Sequence, residues 1–175
     1  QRQMCIRDSV NTAGLNLDEQ CEHYERAKQR DWNVARLHSG DPAIYGAMAE
    51  QMRRLDELEI DYEVVPGVST FTSSAASLNF ELTKPKIGQT IILTRTEGRA
   101  SPMPEGESLA ELASHGTTMA IFLSGARLPE TIATLREHYR DETPIVLVYK
   151  NEWPQEKRHL SALGNVLDEI DEADW

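Results

Sequence analysis

Ser39-Gly40-Asp41-Pro42 and Pro66-Gly67-Val68-Ser69-Thr70 are the two stretches whose residue types could do chemistry. Gly40 and Gly67 have no Cβ, so a ligand or another piece of chain can come close to the main chain there. Asp41 offers a carboxylate that can cap a helix or accept hydrogen bonds from a ligand's hydroxyl or ammonium group. Ser69 and Thr70 offer hydroxyls that serve as helix caps or as ligand contacts. Each motif taken singly reads as the start of an ordinary helix. Two in succession, each at the end of a strand, are how an open α/β sheet builds a ligand crevice at the carboxyl ends of its strands. That chemistry is the close holding of a small polar molecule.

The elements that must position these turns follow from apolar spacing. Asn16-Leu-Asp-Glu19 opens a helix, with Asn16 as N-cap and acids in the first turn, running to about Arg30. Asp31-Trp-Asn33 turns into a strand at Val34–Leu37, which delivers the first motif. A helix is expected from Ala43 to Leu58, begun by Pro42 and burying Ile44, Met48, Met52 and Leu55 as one stripe. A second strand, Ile60–Val65, delivers Pro66-Gly67, and a helix of small residues runs from Val68 to Asn79. Phe80 to Gly88, with Pro85, reads as a linker between two halves.

The second half repeats the alternation. Strands are expected at Thr90–Thr94, Thr118–Leu123, Pro144–Tyr149 and Arg158–Leu163, and helices at Ser108–Ser114, Pro129–Tyr139 and Asn165–Ala173. A Pro/Gly-rich loop covers 95–106. The division is an N-terminal α/β domain over 10–84 and a C-terminal one over 85–175, each of which the resemblance described below implies to be partial. Gln1 to Ser9 has no periodicity or cap and reads as extraneous.

Composition narrows the class. The 175 residues hold 18 Lys and Arg against 29 Asp and Glu, a net charge of −11. An acidic surface argues against nucleic-acid and membrane-surface binding, which need a basic footprint. An anionic small molecule remains open to it, since a few cations can gather in one cleft. Cys5 and Cys21 are too few for a disulfide framework and fit a reducing, cytoplasmic compartment. They have no metal-like spacing with His, and no metal site is expected. No apolar run is long enough to span a bilayer.

The pattern Val34-x-x-Leu37-x-x-Gly40-Asp41-x-x-x-Tyr45-Gly46, then Leu55, then Tyr62-x-Val64-x-Pro66-Gly67, resembles the signature of the tetrapyrrole methylases. Within that superfamily, Arg36–Ala47, Glu81-Leu-Thr83, Gln89–Arg95, Met103-Pro104, Phe122-Leu-Ser124, Tyr149-Lys150 and Trp153-Pro154 look like the precorrin-4 C11-methyltransferases of cobalamin biosynthesis. The resemblance implies two consecutive α/β domains with the ligand cleft between them. It implies S-adenosyl-L-methionine as methyl donor, precorrin-4 or cobalt-precorrin-4 as methyl acceptor, and a homodimer. By position, Ser39, Gly40, Asp41, Ile44, Ser69, Thr70, Leu123 and Asn151 would contact the cofactor. Asn151-Glu152 departs from the small residue and hydroxyl usual there.

The same resemblance implies an acceptor rich in carboxylates, for which Arg95 and Arg99 are the first candidates, then Lys84, Lys86 and Arg127. His38, just before the first turn, is a further substrate candidate or a strand-end structural histidine. No general base is identified. The family opens with a first strand and a Gly- and Pro-rich loop that this sequence lacks, and the sequence stops at Trp175 inside the second domain. The expectation is a fragment of a longer protein that binds S-adenosylmethionine poorly alone. The alternatives are a tetrapyrrole methylase of another ring position, one acting on uroporphyrinogen III or RNA, and a non-catalytic nucleotide-binding module.

Overall fold

A computed structural model describes residues 8–98 and 102–171. Most of the N-terminal stretch that the sequence reading set apart, with Cys5, lies outside the described residues, and so does Arg99. The chain falls into two compact units that part between Ser69 and Thr70.

In the first unit, helix α1 (Leu17–Gln29) forms where expected. Asn16 Oδ1 accepts from the Glu19 amide at 2.9 Å, and the Glu19 carboxylate accepts from the Asn16 amide at 2.7 Å. This reciprocal cap satisfies two amides that no helical carbonyl can reach. Cys21, Tyr24 and Ala27, at helical spacing, are the buried face of α1. Helix α2 (Met48–Glu57) is shorter than the sequence suggests. Tyr45 and Ala47 have φ of 55° and 50°, a left-handed backbone that no α-helix can contain. Pro42 therefore sits in a turn ahead of the helix. The stripe of Ile44, Met48, Met52 and Leu55 is only half-buried. An ion pair from Arg54 to Asp18 and a bond from Lys28 Nζ to the Leu58 carbonyl, at 2.7 Å, tie α1 to α2.

The two strands expected in this unit do not form. A strand needs a partner's backbone groups, and among the described residues nothing pairs with 34–37 or 60–65. Val34, Leu37, Val64 and Val65 are exposed instead.

The second unit begins with α3 (Thr70–Ser77), two residues shorter at each end than the pattern suggests. Its parallel pair is β1 (Ile91–Arg95) and β2 (Thr118–Phe122), in register from Ile91 opposite Thr118 to Arg95 opposite Phe122. Helix α4 (Leu109–Ala113) lies in the crossover, capped by Ser108 and Glu111. A 3-10 turn, Gly125–Arg127, leads into α5 (Leu128–Arg136). β3 (Pro144–Tyr149) and β4 (Lys157–Ala162) form an antiparallel hairpin. The acidic helix expected from Asn165 is a series of turns over the described residues. Ala113, Leu128, Ile132, Leu135, Leu163 and Val166 make the core. Its strands formed because each has its partner close by in the sequence or across one helix.

Candidate functional site

The Asp41 carboxylate is the hub of the first unit's loops. Its Oδ1 accepts from the Ala43 amide at 2.8 Å, two residues on, which closes the turn that holds Pro42. Its Oδ2 accepts from the Gly67 amide at 3.2 Å, which joins the Ser39–Pro42 loop to the Pro66–Ser69 loop. A Cβ at Gly67 would lie 2.1 Å from the Gly40 carbonyl oxygen, so only glycine allows the two main chains this contact. Gly40 itself has φ of 71°. Asp41 is thus no cap of α2, as one sequence reading had it, but a bridge between the two motifs. A carboxylate offers about four acceptor directions, so Asp41 retains capacity for a ligand.

Around that bridge, Ser39 is exposed, Ile44 is half-buried and Ser69 is 7 % exposed. His38 is held below the usual histidine range, first by loss of solvent and then by the Arg36 charge.

In the second unit, Thr70 is exposed and opens α3. Leu123 directly follows β2 with φ of 55°, and the residue is 75 % exposed. A left-handed backbone costs a branched residue about 1–2 kcal/mol, and exposure returns nothing for it. The Leu123 carbonyl is fixed by the Thr96 hydroxyl at 2.9 Å.

Asn151 follows β3, between Lys150 and Glu152 at φ of 48° and 65°. Its Nδ2 donates to Ser73 Oγ at 2.8 Å, and Ser77 Oγ donates to its Oδ1 at 3.4 Å. Both ends of the amide are therefore engaged by one face of α3. Arg158 adds a bond to the Ser77 carbonyl at 3.1 Å. Sequence reasoning missed Ser73 and Ser77; their spacing of four on a helix of small residues was the available signal. α3 and these partners all lie in the unit that begins at Thr70, which also takes in the 80–88 stretch that the sequence reads as a linker.

Arg95 ends β1, where its guanidinium donates to the Thr96 and Pro102 carbonyls at 3.2 and 3.4 Å. Lys84 lies over the Phe80 ring, 4.0 Å from its centre, and Lys86 has φ of 65°. Among the described residues no cluster of His, Cys, Asp or Glu is arranged to hold a metal ion. Nor is any described helix long and apolar enough to cross a membrane.

A family model described as Tetrapyrrole (Corrin/Porphyrin) Methylases matches residues 2–166. The precorrin-4 C(11)-methyltransferase of Pseudomonas aeruginosa is 45 % identical over 92 % of this chain. The chain spans 64 % of that relative's length. The X-ray structure of a cobalt precorrin-4 methyltransferase of cobalamin biosynthesis is 40 % identical, with a TM-score of 0.85 over 91 % of this chain and 67 % of its own. A uroporphyrin-III C-methyltransferase from Thermus thermophilus, solved with S-adenosyl homocysteine, shares the fold at 21 % identity and a TM-score of 0.61, covering 86 % of this chain and 68 % of its own.

Proposed function

The chain belongs to the tetrapyrrole (corrin/porphyrin) methylases, and on that premise we propose that the protein transfers a methyl group from S-adenosylmethionine to C11 of precorrin-4 or cobalt-precorrin-4. The observation that carries the reading is the main-chain contact of Gly40 with Gly67, bridged by Asp41. It makes one binding feature of two motifs that lie apart in sequence.

The residues present fit the donor. Asp41 has acceptor directions left for ribose hydroxyls or an ammonium, the bare backbone at Gly40 admits a flat group, and Ser39 adds a hydroxyl. Ile44 supplies apolar surface beside them. Ser69 and Thr70 follow the second turn, and Leu123 presents an exposed side chain from a strained position. In the second unit the Asn151 side-chain amide is already engaged by Ser73 and Ser77. S-adenosylmethionine carries a methyl group already activated on a sulfonium, so the chemistry asks for neither a metal nor a protein nucleophile. What remains for the chain is to hold donor and ring carbon at attack distance and to exclude water.

Saturation-transfer NMR with S-adenosylhomocysteine, which reads weak ligands, tests the site. Adenosyl signals should appear with the unaltered protein and fall at least tenfold in Asp41→Ala (by the scale of a lost charge-assisted bond). Equal signals in both would overturn the assignment. Labelled methyl transfer, assayed against precorrin-4, cobalt-precorrin-4 and uroporphyrinogen III, then reads the acceptor. Label on uroporphyrinogen III or on another ring position would move the protein to a different branch. Contact without transfer to any acceptor would make it a binding module.

A further inference from the structure

We infer that a hollow in the second unit, beside the carboxyl end of β1, is a subsite for one carboxylate-bearing arm of the tetrapyrrole, with Arg127 as a specificity-determining residue; this rests on the methyltransferase reading above. The hollow measures about 270 Å³. Pockets for drug-sized ligands measure roughly 300–1,000 Å³, so its size suits one side arm of a larger molecule. It lies between the end of β1, the start of α4 and the first turns of α5. In parallel α/β architecture that end of the strands is where ligands bind.

Its lining is chemically mixed. Met103, Leu109 and Ala110 are apolar and suit methylene groups. Arg95 and Arg127 supply two guanidinium groups. The Arg127 guanidinium reaches the Glu97 carbonyl at 3.4 Å and makes no ion pair among the described residues. Neutral carbonyls orient a guanidinium without cancelling its charge. The hydroxyls nearby are already committed: Ser108 to the Glu111 carboxylate, Thr131 to the Arg127 carbonyl and Thr134 to the Glu130 carbonyl. Recognition therefore falls to the Arg127 guanidinium, whose fork matches a carboxylate. Glu97 and Glu130 also line the hollow and oppose an anion. A short apolar linker ending in a carboxylate, as in an acetate or propionate arm, suits both kinds of lining residue at once.

The two signs of charge give the test opposite directions. Fluorescence titration of the protein with uroporphyrin III, a planar octacarboxylate, should show about tenfold weaker binding in Arg127→Ala. Arg127→Lys should retain part of the affinity, because a point charge replaces the fork. Glu130→Gln should bind two- to threefold more tightly. S-adenosylhomocysteine signals in NMR should stay unchanged in all three. Two results would overturn the subsite while leaving the methyltransferase reading standing. One is uroporphyrin affinity insensitive to both Arg127→Ala and Glu130→Gln; the other is contact with S-adenosylhomocysteine but none with uroporphyrin. A protein that contacts neither ligand overturns both.

Discussion

Asp41 shows how one side chain can serve two neighbours at once. Each of its backbone bonds is worth about 1 kcal/mol at this exposure, which is little for the fold as a whole. Their value is positional, because together they set the spacing of two loops that carry the candidate ligand contacts. Both glycines and the aspartate were legible in the sequence. Their mutual contact was not, since no spacing rule specifies which carbonyl a distant glycine will meet.

His38 offers an independent residue-scale check. Loss of solvent and the Arg36 charge both favour its neutral form, so its folded value lies below the ordinary one near 6.5. The unfolded chain then binds the proton first as the pH drops. The stabilisation from keeping His38 neutral is full above about 6.5 and is lost as the pH falls through the folded value. A proton NMR titration should place the His38 ring signal's midpoint below that of an unfolded reference, and Arg36→Ala should move it upward. A midpoint unmoved by Arg36→Ala would refute the second cause.

Among elements, α3 carries the clearest consequence. Three of its polar contacts, to Asn151 twice and to Arg158, fasten it to the β3–β4 hairpin. Asn151→Ala should remove the two amide bonds, at about 1 kcal/mol each. Amide exchange within Thr70–Ser77 should then quicken about tenfold or more, while α5 keeps its protection. Unchanged exchange in α3 would show that the serines hold nothing.

The sequence foretold α1, β3 and the order of the second unit closely, because caps and apolar runs are local signals. It failed at Val34–Leu37 and Ile60–Val65, whose apolar residues were read correctly but whose ladders depend on distant backbone groups. It overran α2, since nothing in the letters of Tyr45 or Ala47 announces a left-handed backbone. It overran the C-terminal stretch as well, where Val166 is drawn into the core from a turn.

At the scale of the molecule the two units are unequally built. The second has a core in which Ile132 and Val166 are essentially inaccessible, whereas α2 of the first buries no residue fully. Ile132→Ala should cost about 2–5 kcal/mol in denaturant unfolding. Met52→Ala should cost well under half of that, as its site is already partly wet. Similar losses from both would mean that α2 is better covered in solution than its exposure indicates.

The fastening of α3 also bears on where the gene is best divided. A cut at the proline-marked junction near Lys84 is the one that composition invites, yet it would strand a helix on the piece to which none of these side-chain bonds belongs. Recombinant halves, chimaeras and split reporters built from this sequence should be parted ahead of Thr70, so that Ser73 and Ser77 travel with the hairpin that grips them.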